Sequence, residues 1–428
     1  MNFTLRSLSL LVAALLSACG GGSLPSEDGN LRLVNATSEF SSLDLFQTNS
    51  AFITGVTPLS ASGFAGLKNG NYSIDVRATG SGTALVTTSV SLAKKDFQTV
   101  VAYSNAGSMA LAVLSDKESD PSSGNAKIRL FNAASGDTGG LDVYLTSAAC
   151  STIANSGSAP FAANLSGLQA TFTQVTASTT PYHVCVTTPG DKTELRIDIP
   201  SLLLSNQRIV TVILSRSAGG FLVNGMTIDQ QGAVAQTLGG SARVRVAASR
   251  SPAVTVDVDV NGTHVAAGLT TPNVGPYAVV AAGTLTIKIN GVTFTPATPL
   301  SLLPGADATL LLTGTTPTVT LLPDDNTTSS STTRPVKLRL VNGLNGSNGT
   351  ATLTVDNGVI GNGATFASAS SYSFLPASAA LARVEARSGT VQLYLATNVT
   401  FSSGRVYSLF LLGEASAAPN TGILIADR

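Results

Sequence analysis

The sequence predicts an all-β protein built from tandem immunoglobulin-like β-sandwich domains. Three observations carry that expectation. A short hydrophobic–Arg–hydrophobic segment recurs four times along the chain. Period-two alternation in β-branched residues, broken by turn formers every several positions, reads as strand and not helix. The one convincing helical stretch, Leu8–Leu16, lies inside an N-terminal export signal.

Composition narrows the functional classes. The chain has 428 residues, with 24 Lys+Arg balancing 24 Asp+Glu, and only 11% of residues are charged. Typical soluble chains carry about 25%. So weak and balanced a field gives a polyanion nothing to follow, which argues against nucleic-acid binding. Hydrophobic residues make up 43%, aromatics only 5%, and Trp is absent. Ala, Val and Leu diluted by Gly, Ser and Thr suit short strands joined by many turns.

The N-terminus, MNFTLRSLSLLVAALLSACGGGS, has Arg6 as its positive charge and an apolar run from Leu8 to Leu16. That run is too short to span a bilayer. Leu16-Ser17-Ala18-Cys19 resembles the bacterial lipobox. The Cys19 thiolate would take the lipid, and small residues at Ser17 and Ala18 would admit the signal peptidase. Residues 1–18 are thus expected to be a lipoprotein signal peptide and 19–29 a lipidated tether. The implied partner is a membrane, reached through the lipid. Gly20, where an Asp would favour inner-membrane retention, points to the outer membrane.

The opening segment begins at Leu31, Ile128, Val244 and Leu338, about one small domain apart. After a turn-rich stretch, Asp-bearing strands follow in three units: Leu43-Asp44-Leu45, Leu141-Asp142-Val143 and Val256-Asp257-Val258. The fourth has Ala351-Thr352-Leu353. The expected organisation is sandwiches over 30–116, 126–230, 241–323 and 336–428, with a linker at 324–335. They could be strung in a row or packed in pairs. Within the opening segment, Leu31, Leu33 and Asn35 share one strand face and Arg32 faces away. Asn35, Asn132 and Asn342 read as strand-end residues bonding loop backbone. The repeated arginines read as a solvated face or as gatekeepers of a sheet edge.

These segments resemble the bacterial family of domain of unknown function 4397: a hydrophobic–Arg–hydrophobic strand, a small-residue loop, then an Asp-Val strand. Val244-Arg245-Val246 through Val256-Asp257-Val258-Asp259-Val260 is the fullest match. The resemblance implies extracytoplasmic β-domains and transfers no catalytic residue.

Three cysteines are present. With Cys19 lipidated in an oxidising compartment, Cys150 and Cys185 most simply form a disulfide. His183, two residues from Cys185, leaves a Cys–His nucleophile as the weaker alternative. Asp257-x-Asp259-x-Asn261-Gly262 matches the start of a calcium loop, but Gly268 stands where such a loop needs a bidentate Glu. The simpler reading is a hairpin turning at Asn261-Gly262. His183 and His264 fall in different units, too few for a zinc site. No nucleophile elbow, phosphate loop or metalloprotease motif occurs in the sequence. No catalytic, cofactor-binding or metal-binding residue is therefore expected. The leading expectation is a non-enzymatic envelope lipoprotein acting as a spacer or protein-interaction module. Glycan or polymer binding is the alternative, and an envelope hydrolase is the less favoured third.

Overall fold

The computed structural model describes residues 28–328, 335–417 and 422–428. The signal peptide, Cys19 and most of the tether lie outside the described residues. Among those described, strands dominate, and no helix is long and apolar enough to cross a membrane.

Unit 1 sets the pattern. Its strands are β1 (Gly29–Asn35), β2 (Leu43–Gln47), β3 (Ser50–Val56), β4 (Ser60–Ala61), β5 (Ala65–Leu67), β6 (Gly70–Ala78), β7 (Val86–Leu92), β8 (Phe97–Asn105) and β9 (Ser108–Ser115). One sheet runs β4–β1–β8–β9, with β5 also paired to β1, and the other runs β3–β2–β6–β7. Leu31 and Leu33 point inward and meet Leu45, Ile74, Val76 and Val100 between the sheets. The core strand order repeats in the other three units, where unit 2 adds an edge strand, Val234–Thr237, and unit 3 a short two-stranded pair. The chain is thus a tandem of β-sandwiches.

One pairing has no counterpart in the sequence reading. In each unit the opening strand runs parallel to the penultimate strand: β1 to β8, 125–132 to 209–216, 241–250 to 307–314, and 336–345 to 406–414. This places each opening strand in the middle of its sheet. The strand-end asparagines then join the two sheets of a sandwich. The Asn35, Asn132 and Asn342 amides donate to the carbonyls of Val56, Leu165 and Ala364, at 3.0, 2.8 and 3.2 Å. Unit 3 has Ala248 at this position.

The expectation that the repeated arginines are solvated is overturned. Arg32, Arg245 and Arg339 are each 2% exposed and Arg129 is 7% exposed. The physical reason is that these sheets are covered on both faces. In units 1 and 2 the outer faces meet, so Val34, Val101 and Leu114 pack on Phe131, Ile213 and Met226. Tyr103 meets Phe131 edge to face, with ring centroids 5.1 Å apart. Units 3 and 4 do the same, with Ala247 and Leu311 against Val341, Phe410 and Leu412. Ser249 locks that seam by donating to Gly343 O at 2.6 Å and accepting from Gly413 N at 2.7 Å. The packing is therefore in pairs, and the row arrangement is not adopted.

The two pairs also meet each other. Gly219 of unit 2 donates its amide to Gly305 O of unit 3 at 2.8 Å. A Cβ on Gly219 would collide with the Asp307 carboxylate, so only glycine allows this approach. Residues 324–328, the start of the expected linker, run through this junction, with Asp324, Asn326 and Thr328 buried.

Candidate functional site

The opening-strand arginines organise a buried polar layer at the centre of each pair. Parallel pairing sets Arg32 opposite Thr99, Arg129 opposite Thr211, Arg245 opposite Thr309 and Arg339 opposite Ser408. Each guanidinium Nε donates to that hydroxyl, at 2.7, 3.3, 2.9 and 3.0 Å respectively. An aromatic ring covers each guanidinium: Phe64 at 4.5 Å, Phe172 at 4.3 Å, Tyr277 at 4.5 Å and Tyr372 at 4.8 Å. Stacking on a ring suits a weakly hydrated guanidinium removed from water.

Aspartates at the ends of the last strands complete the layer. Thr99 donates to Asp116, Thr309 to Asp324 and Ser408 to Asp427, all within 2.7 Å. In the second pair the carboxylates cross the seam. Arg245 binds Asp427 of unit 4 at 2.6 Å, and Arg339 binds Asp324 of unit 3. Burial alone would lower the Arg245 pKa, but Asp427, Tyr277 and Asp324 outweigh it and raise it. Burial and the neighbouring Asp324 also push the Tyr277 hydroxyl well up, so Tyr277 stays neutral and donates to Asp324 at 2.5 Å. The first pair is less symmetrical. Arg32 binds Asp116 at 3.1 Å and reaches across to Gly232 O at 2.7 Å. Asp229 turns to Arg208 instead, at 2.7 Å.

A second charged cluster lies where the pairs meet. The fully buried Asp137 carboxylate takes Arg428 at 3.2 Å, Arg216 at 3.5 Å and the Thr328 hydroxyl at 2.6 Å. Arg216 also pairs with Glu39 of unit 1 at 3.1 Å. Phe221 is sandwiched between Arg196 of unit 2 and Arg243 of unit 3, at 3.3 and 3.7 Å. Burial there pushes the Arg196 pKa down to about 10. Beside this cluster opens a cleft of about 610 Å³, walled by Glu39, Phe40, Arg216, Asp325, Lys337 and Phe374. Phe374 is 59% exposed.

The family-pattern aspartates have a local task. Asp44 accepts the Gly55 amide at 2.7 Å, Asp142 the Asn164 amide at 2.8 Å and Asp257 the Gly268 amide at 2.7 Å. Each donor residue has positive φ, in a β-bulge of the neighbouring strand. The carboxylate thus caps a bulge, whose extra residue leaves an amide outside the ladder. Asp142 also takes the Gly190 amide, at 2.9 Å. Asp142→Ala would remove a buried, charged acceptor from both amides, and unfolding in urea should show a loss of about 1–3 kcal/mol. The exposed Asp257→Ala should lose less.

The calcium-like segment is a hairpin. Strands Thr255–Val260 and Thr263–Thr270 turn at Asn261 and Gly262, with φ of 50° and 81°. Asp259 accepts from His264 at 2.6 Å. Cys150 and Cys185 form a disulfide across 35 positions, with Cα atoms 5.4 Å apart. The sulfur that a Cys–His nucleophile would need is thus bonded, and His183 instead meets Asp198 at 2.8 Å.

The family model for the domain of unknown function DUF4397 matches residues 29–144 and 242–348, just over half of the chain. The chain belongs to this family. Each DUF4397 match spans one sandwich and the opening strand of the next, so it includes both arginines of a pair: Arg32 with Arg129, and Arg245 with Arg339. No curated protein matches the chain. A Bacteroides uniformis crystal structure, described as a candidate cell adhesion protein, is 12% identical with a TM-score of 0.21, covering 48% of this chain and 99% of that one. The Bacillus anthracis TIE protein is 11% identical with a TM-score of 0.16, covering 90% of this chain and 68% of that one. Both likenesses are too slight to carry a functional argument.

The hydroxyls, rings and strand-end aspartates of the buried layer were missed by the sequence reading. A signal existed. The units end Leu114-Ser115-Asp116, Thr227-Ile228-Asp229, Leu322-Pro323-Asp324 and Ile425-Ala426-Asp427. Aligning unit ends as well as unit starts exposes it.

Proposed function

We propose that this DUF4397 protein is a non-enzymatic lipoprotein of the cell envelope, whose four sandwiches form one rigid interaction module held to the outer membrane by lipid on Cys19. The single observation supporting rigidity is the buried Arg–Asp layer of the second pair, which needs both members of that pair for its charges to be satisfied. The non-enzymatic reading is supported by where the charges go. The carboxylates of the buried layers and of the bulges are committed to structural bonds.

One experiment tests address and rigidity together. Wild-type protein should fractionate with membranes and Cys19→Ser protein should be soluble. That soluble protein should scatter X-rays with a radius of gyration near the compact value of about 21 Å for 400 residues. A value far above it, or a Cys19→Ser protein that stays with membranes, would sink the corresponding half of the proposal.

A second reading, binding of glycan or another polymer, is favoured by the exposed Phe374 beside the junction cleft. A glycan screen of the same soluble protein decides it: binding abolished by Phe374→Ala supports a polymer site, and a blank screen removes it.

A further inference from the structure

The outer face of the second sheet of unit 2 carries a cluster that the spacer function does not use. His183 and Cys185 are two residues apart on strand Tyr182–Thr188 and therefore point the same way. Asp198 sits directly opposite Cys185 on the neighbouring strand. A 3-10 segment, Cys150–Asn155, lies over this face and brings Cys150 down onto it. Ligand atoms of Cys150, His183 and Asp198 all lie within 4.8 Å of one another. Cys185 is joined to Cys150.

We propose that Cys150, His183 and Asp198, joined by Cys185 once the disulfide is opened, form a redox-gated site for a tetrahedral divalent cation of the zinc class. Zinc takes thiolate, imidazole and carboxylate ligands at about 2.0–2.3 Å, which places neighbouring ligand atoms about 3.3–3.8 Å apart in a tetrahedron. The three clustered ligand atoms therefore need shifts of no more than roughly one ångström, His183 and Asp198 moving apart from 2.8 Å, and the Cys185 sulfur has to swing in from outside that group once it is released. The His183–Asp198 hydrogen bond already holds the imidazole over the site. The sulfurs are buried, whereas the His183 and Asp198 side chains are 21% and 32% exposed, which gives an ion a way in.

The gate is the disulfide. While it is closed, neither sulfur is a thiolate, and only the imidazole and carboxylate are left. A dithiol reductant opens it. One thiolate of the reductant attacks a sulfur and releases the other cysteine, and the second thiol then closes the reductant into its own disulfide. The dithiol supplies two electrons and two protons, and the protein gains two thiols. Cation binding then displaces both thiol protons.

The test uses the soluble Cys19→Ser protein, oxidised or reduced, titrated with Co²⁺ and then Zn²⁺. The reduced protein should take up one Co²⁺ per chain with thiolate-to-cobalt charge-transfer absorption, and Zn²⁺ should displace it. The oxidised protein should show no such absorption. His183→Ala and Asp198→Asn should each weaken binding at least about tenfold while keeping the same far-ultraviolet circular dichroism. Reduced protein without the absorption overturns the proposal, as do variants that bind as tightly as their parent. Reduced protein that unfolds and is not restored by Zn²⁺ also overturns it, because the site then lacks a folded host.

Discussion

Asp324→Ala should lower the stability of the second pair by about 3–5 kcal/mol, the range for removing one partner of a buried ion pair. The Asp324 carboxylate accepts from Arg339, Thr309 and Tyr277, and Arg245 lies 3.7 Å away. Without it, the Arg339 guanidinium keeps Pro323 O and Ser408 but loses its counter-charge. The loss would be read as a drop in urea midpoint with little change in slope. Adding Arg339→Met should restore part of the loss, since a buried pair replaced by apolar side chains is often tolerated. If Asp324→Ala unfolds at the wild-type midpoint, the layer is decorative and pairing rests on Phe410 and its neighbours alone.

The second large effect is expected at the disulfide. Cys150→Ala with Cys185→Ala releases a closure of 35 positions, which the chain-entropy treatment values at about 4 kcal/mol. The loss should be local. Unit 2 keeps Val143, Val184, Val186, Ile197 and Ile199 between its sheets, so the double variant should remain folded. Amide exchange should speed up in 141–202, whereas the opening strand of unit 4, 336–345, should be unaffected. Equal acceleration in both regions would mean that the four units unfold as one.

Much of this architecture could be read from single strands. Leu31 and Leu33 on one face gave the sandwich core directly, because period two is a local property. Asn261-Gly262 gave its hairpin for the same reason. Asn35 makes the expected loop bond by accepting the Thr37 amide, whereas its bond across to Val56 of the other sheet was not legible. The arginines were misread because their partners are distant. Arg245 is 182 positions from Asp427, and no local pattern announces a carboxylate arriving from another unit. A clue lay in β1 itself: Leu31-Arg32-Leu33-Val34 is apolar on both faces except for the arginine, which is how a doubly covered strand reads. The run Leu409-Phe410-Leu411-Leu412 says the same. Weighed together, those two strands argue for a partner sheet outside the sandwich. The zinc-class cluster is half legible: His183 and Cys185 stand out in sequence, whereas Asp198 joins them only through the register of its strand.

The parallel pairing of first and penultimate strands has a consequence for how such a protein grows. Residue 30 lies beside residue 97, and residue 98 beside residue 115, so the chain comes into unit 1 and goes out of it at the same pole. Two strand spacings, about 10 Å, separate those points. Units 3 and 4 give the same arrangement, whereas in unit 2 a further strand, Val234–Thr237, runs back along Val223–Asp229 and takes the chain to the other pole. A sandwich with adjoining ends behaves as a cassette: it can be duplicated into a gene, or dropped from it, without stretching what flanks it. The arginine travels with each copy and finds a second arginine-bearing face already waiting. Accretion of this kind within a pair adds girth around a common pole and very little reach, and only the return strand Val234–Thr237 sends the chain to the other end before the second pair begins.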